Sequence, residues 1–178
     1  MTESEIIKGC IKKDAACQHE LFKKYAGVLM GVCLRYTPVK ADAEDVLQDA
    51  FMRIFSRIHQ FRSEGSFEGW LKRITANCAL KKMQKRKISF DDIHEQHINN
   101  IKTDAVTFSN LTVAELLKQV SSLPEGYRIV FNLYVMEGYS HSEIGELLNI
   151  EEATSRSQLS KARKFLQAKI LMNQKIAI

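Results

Sequence analysis

Apolar residues recur along most of the chain at steps of three and four, the spacing that one buried face of an α-helix produces. The pattern predicts a short helix capped by Thr2, a longer one over Ala15–Tyr36 capped by Asp14, and others beginning at Asp42 and after Ser66. The chain has only two prolines, and no segment has the alternating pattern of a half-buried strand. We therefore predict an all-α protein.

The helical spacing is lost over residues 88–111, which are polar and mildly acidic. A stretch of this kind is typical of a linker between domains. Two further helices are predicted after it, one starting at Thr112 and one starting near Pro124 and ending at Gly138. We expect two small helical domains, residues 1–87 and 112–178, joined by a flexible linker.

The segment from Gly138 to Lys169 has the pattern of two helices separated by a short turn. Ser140 and Glu143 have the spacing of a capping box, and Asn149 suits the left-handed turn that ends a helix. The second helix has an apolar stripe at steps of four, three, four and four, formed by Ser155, Leu159, Ala162, Leu166 and Ile170. These features predict a helix-turn-helix.

The other side of this second helix is rich in hydroxyl, amide and cationic groups. Its members are Thr154, Ser157, Lys161 and Lys164, flanked by Arg156, Gln158 and Arg163. Short donors near the N-terminus suit base edges in a DNA major groove, and the cations suit phosphates. The alternative is an ordinary helical hairpin with a solvated basic face.

The helix beginning at Asp42 has an acidic stripe opposite its apolar face. Asp42, Asp45, Asp49 and Arg53 follow one another at steps of three, four and four, with Gln48 beside them. Capping by Asp42, the helix dipole and an Asp49–Arg53 pair explain part of this pattern. The functional interpretation is a docking strip for a basic partner. Metal chelation by Asp45 and Asp49 is a weaker alternative, because no second acidic cluster faces them.

A polar loop over Arg62–Ser66, between Phe61 and Phe67, precedes a strongly basic segment. Seven cations and no acids occur in that segment, namely Lys72, Arg73, Lys81, Lys82, Lys85, Arg86 and Lys87. A run of one sign indicates an anionic partner. Aromatic rings beside a polar loop suit single-stranded nucleic acid, and Lys82 is a candidate phosphate contact. The alternative is that Phe61, Phe67 and Trp70 all belong to the core.

Composition narrows these interpretations. The net charge of +5 supports nucleic-acid binding only because the cations cluster. The four cysteines, at positions 10, 17, 33 and 78, form no CxxC pair, so we predict reduced, buried thiols and no zinc site. No signal peptide or membrane-spanning apolar run is apparent. We expect a cytoplasmic protein with no membrane insertion, no cofactor and no metal.

The order of these parts is that of a known family. The matching motifs are DAEDVLQDAFMRIF at 42–55, FEGWLKRITANCALKKMQKR at 67–86, LPEGYRIVFNLYVMEGYSHSEIGELLNI at 123–150 and ATSRSQLSKARKFL at 153–166. The chain resembles the extracytoplasmic-function (ECF) alternative sigma factors of bacterial RNA polymerase, the two-domain members of the primary sigma family. The resemblance spans nearly the whole chain.

The resemblance implies a role for each part. Residues 1–87 would be the region 2 domain and residues 112–178 the region 4 domain, which would sit on the flap of the beta subunit. Asp45, Gln48 and Asp49 would dock on the beta-prime clamp helices of core polymerase. The implied minus-ten contacts are Arg62, Ser63, Glu64, Gly65, Ser66, Phe67, Lys72, Arg73, Asn77 and Lys81. The implied minus-thirty-five contacts are Thr154, Ser155, Arg156, Ser157, Gln158 and Lys161.

We therefore expect a promoter-specificity subunit that binds core RNA polymerase and promoter DNA, with an anti-sigma factor as a further partner implied by the resemblance. The sequence has no nucleophile with a positioned base and no glycine-rich phosphate loop, so we do not expect an enzyme. One alternative is a stand-alone helix-turn-helix regulator, which would bind a pseudo-palindrome as a dimer. Another is a helical enzyme that uses Asp45 and Asp49 with magnesium.

Overall fold

The structure, a computed structural model, describes residues 1–84 and 113–176. These residues form eight α-helices, and no strand occurs among them. The chain divides into two compact units, Met1–Lys87 and Ile88–Ile178. The predicted all-α fold of two helical domains is thereby confirmed, while the predicted linker over 88–111, the cap at Thr112 and the cations Lys85–Lys87 lie outside the described residues.

The first unit contains four helices: α1 (Glu3–Ile11), α2 (Ala15–Tyr36), α3 (Lys40–Arg57) and α4 (Phe67–Gln84), with a 3₁₀ turn at Ile58–Gln60. Helices α2, α3 and α4 pack against one another, and α1 packs against α2. Their apolar faces meet in one core, whose fully buried members include Leu21, Leu29, Ile54 and Leu71.

Helix starts in this unit follow local chemistry. The predicted capping box of α1 is present, with the Thr2 amide donating to Glu5 Oε2 at 2.8 Å and the Glu5 amide to Thr2 Oγ1 at 3.3 Å. Asp14 caps α2 by accepting from the Cys17 amide at 2.9 Å. The expected N-cap at Asp42 is wrong, because α3 begins at Lys40 and Asp42 lies within its first turn.

The second unit contains α5 (Val113–Ser121), α6 (Glu125–Phe131), a π-helical turn at Asn132–Met136, α7 (His141–Leu148) and α8 (Glu152–Ile176). Helix α8 packs against α5, α6 and α7. All five residues of the predicted stripe on α8, Ser155, Leu159, Ala162, Leu166 and Ile170, are buried. The helix-turn-helix is therefore confirmed, and its second helix supplies the spine of this unit.

Candidate functional site

The acidic strip lies on the exposed side of α3. Asp45, Gln48 and Asp49 are all exposed, whereas the opposite side of the helix packs into the core. Met52 follows on the same side, four residues after Gln48, and is 68% exposed. Our sequence interpretation missed Met52, although its spacing from Gln48 and Asp49 signals that the three share a face. The strip thus ends in an exposed apolar side chain.

A lysine from α4 reaches into one end of this strip. Lys82 Nζ lies 2.9 Å from Asp45 Oδ2 and 3.4 Å from Asp42 Oδ1, and it also donates to the Asp42 carbonyl at 3.3 Å. The hydrogen bond to Asp45 is the main cause that raises the pKa of Lys82. The structure therefore corrects the placement of Lys82, which points at carboxylates rather than outward from the basic segment. Asp42 and Asp45 are partly neutralised as a result.

The loop between Phe61 and Phe67 presents polar groups to solvent. Arg62, Ser63, Glu64, Gly65 and Ser66 are all exposed. Ser63 has a φ of 58° and Gly65 a φ of 153°, so the backbone turns twice through conformations that favour glycine. Ser66 caps α4 as predicted, since its Oγ accepts from the Gly69 amide at 3.2 Å.

Four aromatic rings pack together beneath this loop; we call Tyr25, Phe61, Phe67 and Trp70 the ring cluster. The Phe61 and Phe67 centroids are 5.0 Å apart, and both rings lie within 6 Å of Trp70, at 5.6 and 5.9 Å. Phe67 is only 2% exposed, so the expectation that its ring contacts a base is corrected. Phe61 and Trp70 are half-buried and border the loop.

In the described part of the basic segment, acidic side chains lie beside some of the cations. Lys72 pairs with Glu68 at 2.6 Å, one helical turn earlier. Arg73 and Lys81 are exposed, and Asn77 is half-buried. Apart from Phe67, the predicted minus-ten residues of α4 therefore remain at least partly accessible, and Lys72 is paired with an acid of its own helix.

The helix-turn-helix has a tightly constrained turn. Ser140 and Glu143 form the predicted capping box, with the Ser140 amide donating to Glu143 Oε2 at 2.8 Å. Asn149 ends α7 in the left-handed region, at φ 54° and ψ 49°, also as predicted. Gly145 was not anticipated: a Cβ added there would lie 2.9 Å from the Ile150 carbonyl oxygen. Only glycine fits this approach without a shift of the backbone.

The residues of α8 that we predicted to face DNA fall into an accessible group and a buried group. Arg156 and Ser157 are exposed, and Thr154 and Lys161 are half-buried. Ser155 and Gln158, however, are 0% and 3% exposed, so the interpretation of both as residues that face DNA is corrected. Both polar side chains belong to the packed side of the helix. The accessible face is consequently narrower and more cationic than the sequence indicated.

His141, the first residue of α7, explains how a serine fits the buried stripe. Its Nδ1 lies 2.9 Å from Ser155 Oγ, and its ring stacks on Tyr134 with centroids 4.4 Å apart. Burial is the main cause that lowers the pKa of His141, and the nearby Arg156 lowers it further. The pair joins α7 to α8, and no local sequence signal indicates it because the partners are fourteen residues apart.

All four cysteines of the chain lie in the first unit. Cys10, Cys33 and Cys78 are buried and Cys17 is half-buried, all without disulfides. Burial raises the pKa of Cys10 to about 11 and that of Cys33 to about 12, so both thiols are poor nucleophiles. Among the described residues, no group of three or more His, Cys, Asp or Glu could hold a metal ion.

Each of the two units is similar to a known protein family. The Sigma-70 region 2 family matches residues 21–88, and the Sigma-70 region 4 family matches residues 114–166. The ECF RNA polymerase sigma-E factor of Escherichia coli (strain K12) is 26% identical over 96% of this chain and 95% of its own length. The chain belongs to the ECF sigma factors. Members of this family are transcription initiation factors rather than enzymes, and this sigma factor directs promoter-specific initiation.

Other relatives agree. The ECF sigma factor SigE of Mycolicibacterium smegmatis is 29% identical over 83% of this chain, and the match covers 59% of the length of SigE. Two solved structures share the fold with a TM-score of 0.51 each. They are CnrH in complex with the cytosolic domain of CnrY, at 18% identity and covering 93% of this chain and 94% of that one, and RpoE with the anti-sigma factor NepR from Bartonella quintana, at 21% identity and covering 84% and 94%.

One further observation concerns membranes. None of the helices in residues 1–84 and 113–176 of this sigma factor has the length and hydropathy needed to cross a bilayer.

Proposed function

We propose that this sigma factor docks on core RNA polymerase through Asp45, Gln48 and Asp49 and brings its two units onto the two elements of a promoter. The observation that carries the proposal is the pairing, in one chain, of an exposed acidic strip on α3 with an exposed cationic face on α8. The first suits a basic protein surface and the second suits DNA. Neither unit needs a catalytic group for this task, so we propose no enzymatic activity.

On the docking strip, Asp49 is the residue that we expect to matter most. The negative charge of Asp45 is partly neutralised by Lys82, whose Nζ is 2.9 Å away, and Gln48 is neutral. A basic surface, which the resemblance identifies as the beta-prime clamp helices, would therefore meet its strongest charge complement at Asp49. Met52, exposed beside it, adds apolar contact area.

On promoter DNA, the two units would act differently. We propose that the exposed loop Arg62–Ser66 receives bases of the minus-ten element, while Lys72, Arg73, Asn77 and Lys81 hold the backbone. For the minus-thirty-five element we retain Thr154, Arg156, Ser157 and Lys161, which remain accessible on α8. Ser155 and Gln158 support that helix from its buried side. Each unit makes few contacts, so binding becomes strong only when polymerase holds both.

Further partners and the location are part of the same proposal. We propose an anti-sigma factor as a regulator, supported by the structure of similar fold in which RpoE is in complex with NepR. We propose that the region 4 unit rests on the beta flap, as the resemblance implies. The cytoplasm is the proposed location, because core polymerase is there.

Reconstituted transcription tests the proposal directly. The chain is added to core polymerase stripped of sigma, with a library of promoter-sized DNA fragments, and the run-off products are sequenced. We expect discrete start sites that share two upstream motifs at a fixed spacing. If the chain leaves core polymerase inactive but selects one palindromic DNA by itself, it acts as a stand-alone regulator and the proposal is wrong.

The docking strip is tested by charge reversal. We expect Asp49→Arg to abolish binding to core polymerase, because it places a cation against a basic partner. Glu146→Arg is the matched control, since Glu146 is also an exposed carboxylate but lies on α7, in the other unit. Binding is measured by co-migration of the chain with core polymerase in size-exclusion chromatography. Asp49→Arg protein that still co-migrates would remove Asp49 from the interface.

A further inference from the structure

A part-buried hydrogen bond joins the N-terminal helix to the ring cluster. The Tyr25 hydroxyl donates to Glu3 Oε2 at 2.6 Å, and Tyr25 is only 4% exposed. Hydrogen bonds to carboxylates are shorter and stronger than those between neutral groups. Burial, followed by the bond to Glu3, raises the pKa of Tyr25, so its phenol remains a donor at neutral pH. The contact joins residues 22 positions apart.

Tyr25 transmits this contact to the loop. The edge of its ring packs on Phe67, with centroids 5.8 Å apart and planes at 80°. Phe67 in turn packs on Phe61, so the residues on either side of the loop Arg62–Ser66 touch each other. Helix α1 is itself fixed at its start by the Thr2 capping box. A continuous series of contacts therefore runs from α1 through Tyr25 and Phe67 to both ends of the loop.

Such a series can set the shape of the loop. Packed rings cannot shift independently, because interiors are close-packed and a displaced ring must displace its neighbours. The five loop residues are exposed, and the packed rings of Phe61 and Phe67 hold the residues at their two ends together, alongside the Ser66 cap. Recognition of a base depends on geometry held to a fraction of an ångström.

We infer that Glu3 and Tyr25 are positioning residues for base selection at the minus-ten element, acting through Phe67 and Phe61 on the loop. The inference rests on the proposed role of the loop in binding that element. It assigns helix α1 to promoter selectivity, although α1 lies outside the segment that matches Sigma-70 region 2.

The test compares two variants that keep every ring in place. Tyr25→Phe removes only the hydroxyl, and Glu3→Gln removes only the charge of its acceptor. With core polymerase, run-off transcription is measured from promoters that differ by one base in either element. We expect Tyr25→Phe to lower discrimination at the minus-ten element about fivefold, the effect of losing one hydrogen bond. Glu3→Gln should lower it less, because glutamine keeps an acceptor oxygen and loses only the charge. Discrimination at the minus-thirty-five element should be unchanged.

Tyr127→Phe is the matched control, because Tyr127 is a buried tyrosine of the other unit. Trp70 is the only tryptophan of the chain and belongs to the ring cluster, so its emission in the free protein reports whether the cluster has changed. Unchanged minus-ten discrimination in Tyr25→Phe, or equal loss at both elements, would overturn the inference. If instead wild-type protein fails to support initiation at all, the proposed function fails, which is a separate result.

Discussion

Two junctions lead into the helices that we assign to DNA, and they are built differently. The junction before α8 comprises residues 149–151 and is fixed by backbone geometry: Asn149 is left-handed, and Gly145 lets α7 approach the Ile150 carbonyl. The junction before α4 is longer, and the rings of Phe61 and Phe67 hold its ends together. The first presents a helix face, whereas the second presents a loop.

Because of this difference, the two junctions are sensitive to different substitutions. A backbone-fixed turn tolerates changes in most side chains but not an added atom at the point of closest approach. A loop held by rings depends on side chains distant in sequence, such as Glu3 and Tyr25. Substitutions at the first junction should therefore change mainly the stability of its unit. Substitutions of the side chains that support the second should change promoter selectivity.

The largest effect is expected at Gly145. In Gly145→Ala the new Cβ would lie 2.9 Å from a backbone oxygen, so the turn must shift, at a cost of about 1–3 kcal/mol. Gly31→Ala is the control, because nothing lies within 4 Å of a Cβ there and alanine should stabilise α2 by about 0.5–1 kcal/mol. Urea unfolding of both variants measures this. Equal stabilisation by both would show that the turn is not constrained as described.

An intermediate effect is expected from pH. The pKa of His141 is lowered from 6.5 in the folded state, so below pH 6.5 the unfolded chain takes up a proton before the folded chain does. The second unit should therefore be most stable above pH 6.5 and lose stability as the pH falls. The His141 ring contacts Ser155 and Tyr134, and the charged groups that act on its pKa are Arg156 and Arg163, which lower it, and Glu152, which raises it.

His141→Gln keeps a polar side chain at this position and removes the titration. Urea midpoints of the second unit, taken above and below pH 6.5, should differ less in this variant than in wild type. A pH dependence that is identical in both proteins would assign it to another group.

The smallest effect is expected in the salt dependence of promoter binding. Lys81 is exposed on α4, and Lys81→Gln should lower the salt slope by about one unit if it contacts a phosphate. Lys82→Gln should leave the slope unchanged, because Lys82 is directed at Asp42 and Asp45. Holoenzyme titrations at several salt concentrations compare the two neighbours. A lower slope in the Lys82 variant alone would reverse the assignment.

Features that depend on nearby residues could be predicted from the sequence. The caps at Thr2, Asp14 and Ser140 involve partners three residues away, and all three are present. Charged positions on α3 also lie on the exposed side as predicted, because carboxylates are rarely buried without partners. The start of α3 was placed two residues late, since Asp42 suited a cap that Val39 supplies without a side-chain bond.

Features that depend on distant partners could not be predicted. The helical spacing predicted that Ser155 is buried, but its partner His141, fourteen residues earlier, could not be read from that spacing. Lys82 is part of a cationic run in sequence, yet its partners are Asp42 and Asp45 on another helix. Phe67 follows a polar loop but packs on Tyr25. In each case tertiary contact overrides the local pattern.

The bridge from Lys82 to α3 has a mechanical consequence. It fastens the helix that carries the acidic strip to the helix that follows the loop, and both helices share one core. The strip and the loop therefore belong to one packed body. In the proposed complex, a displacement of the polymerase surface bound to α3 would therefore also move the loop that meets the promoter strand.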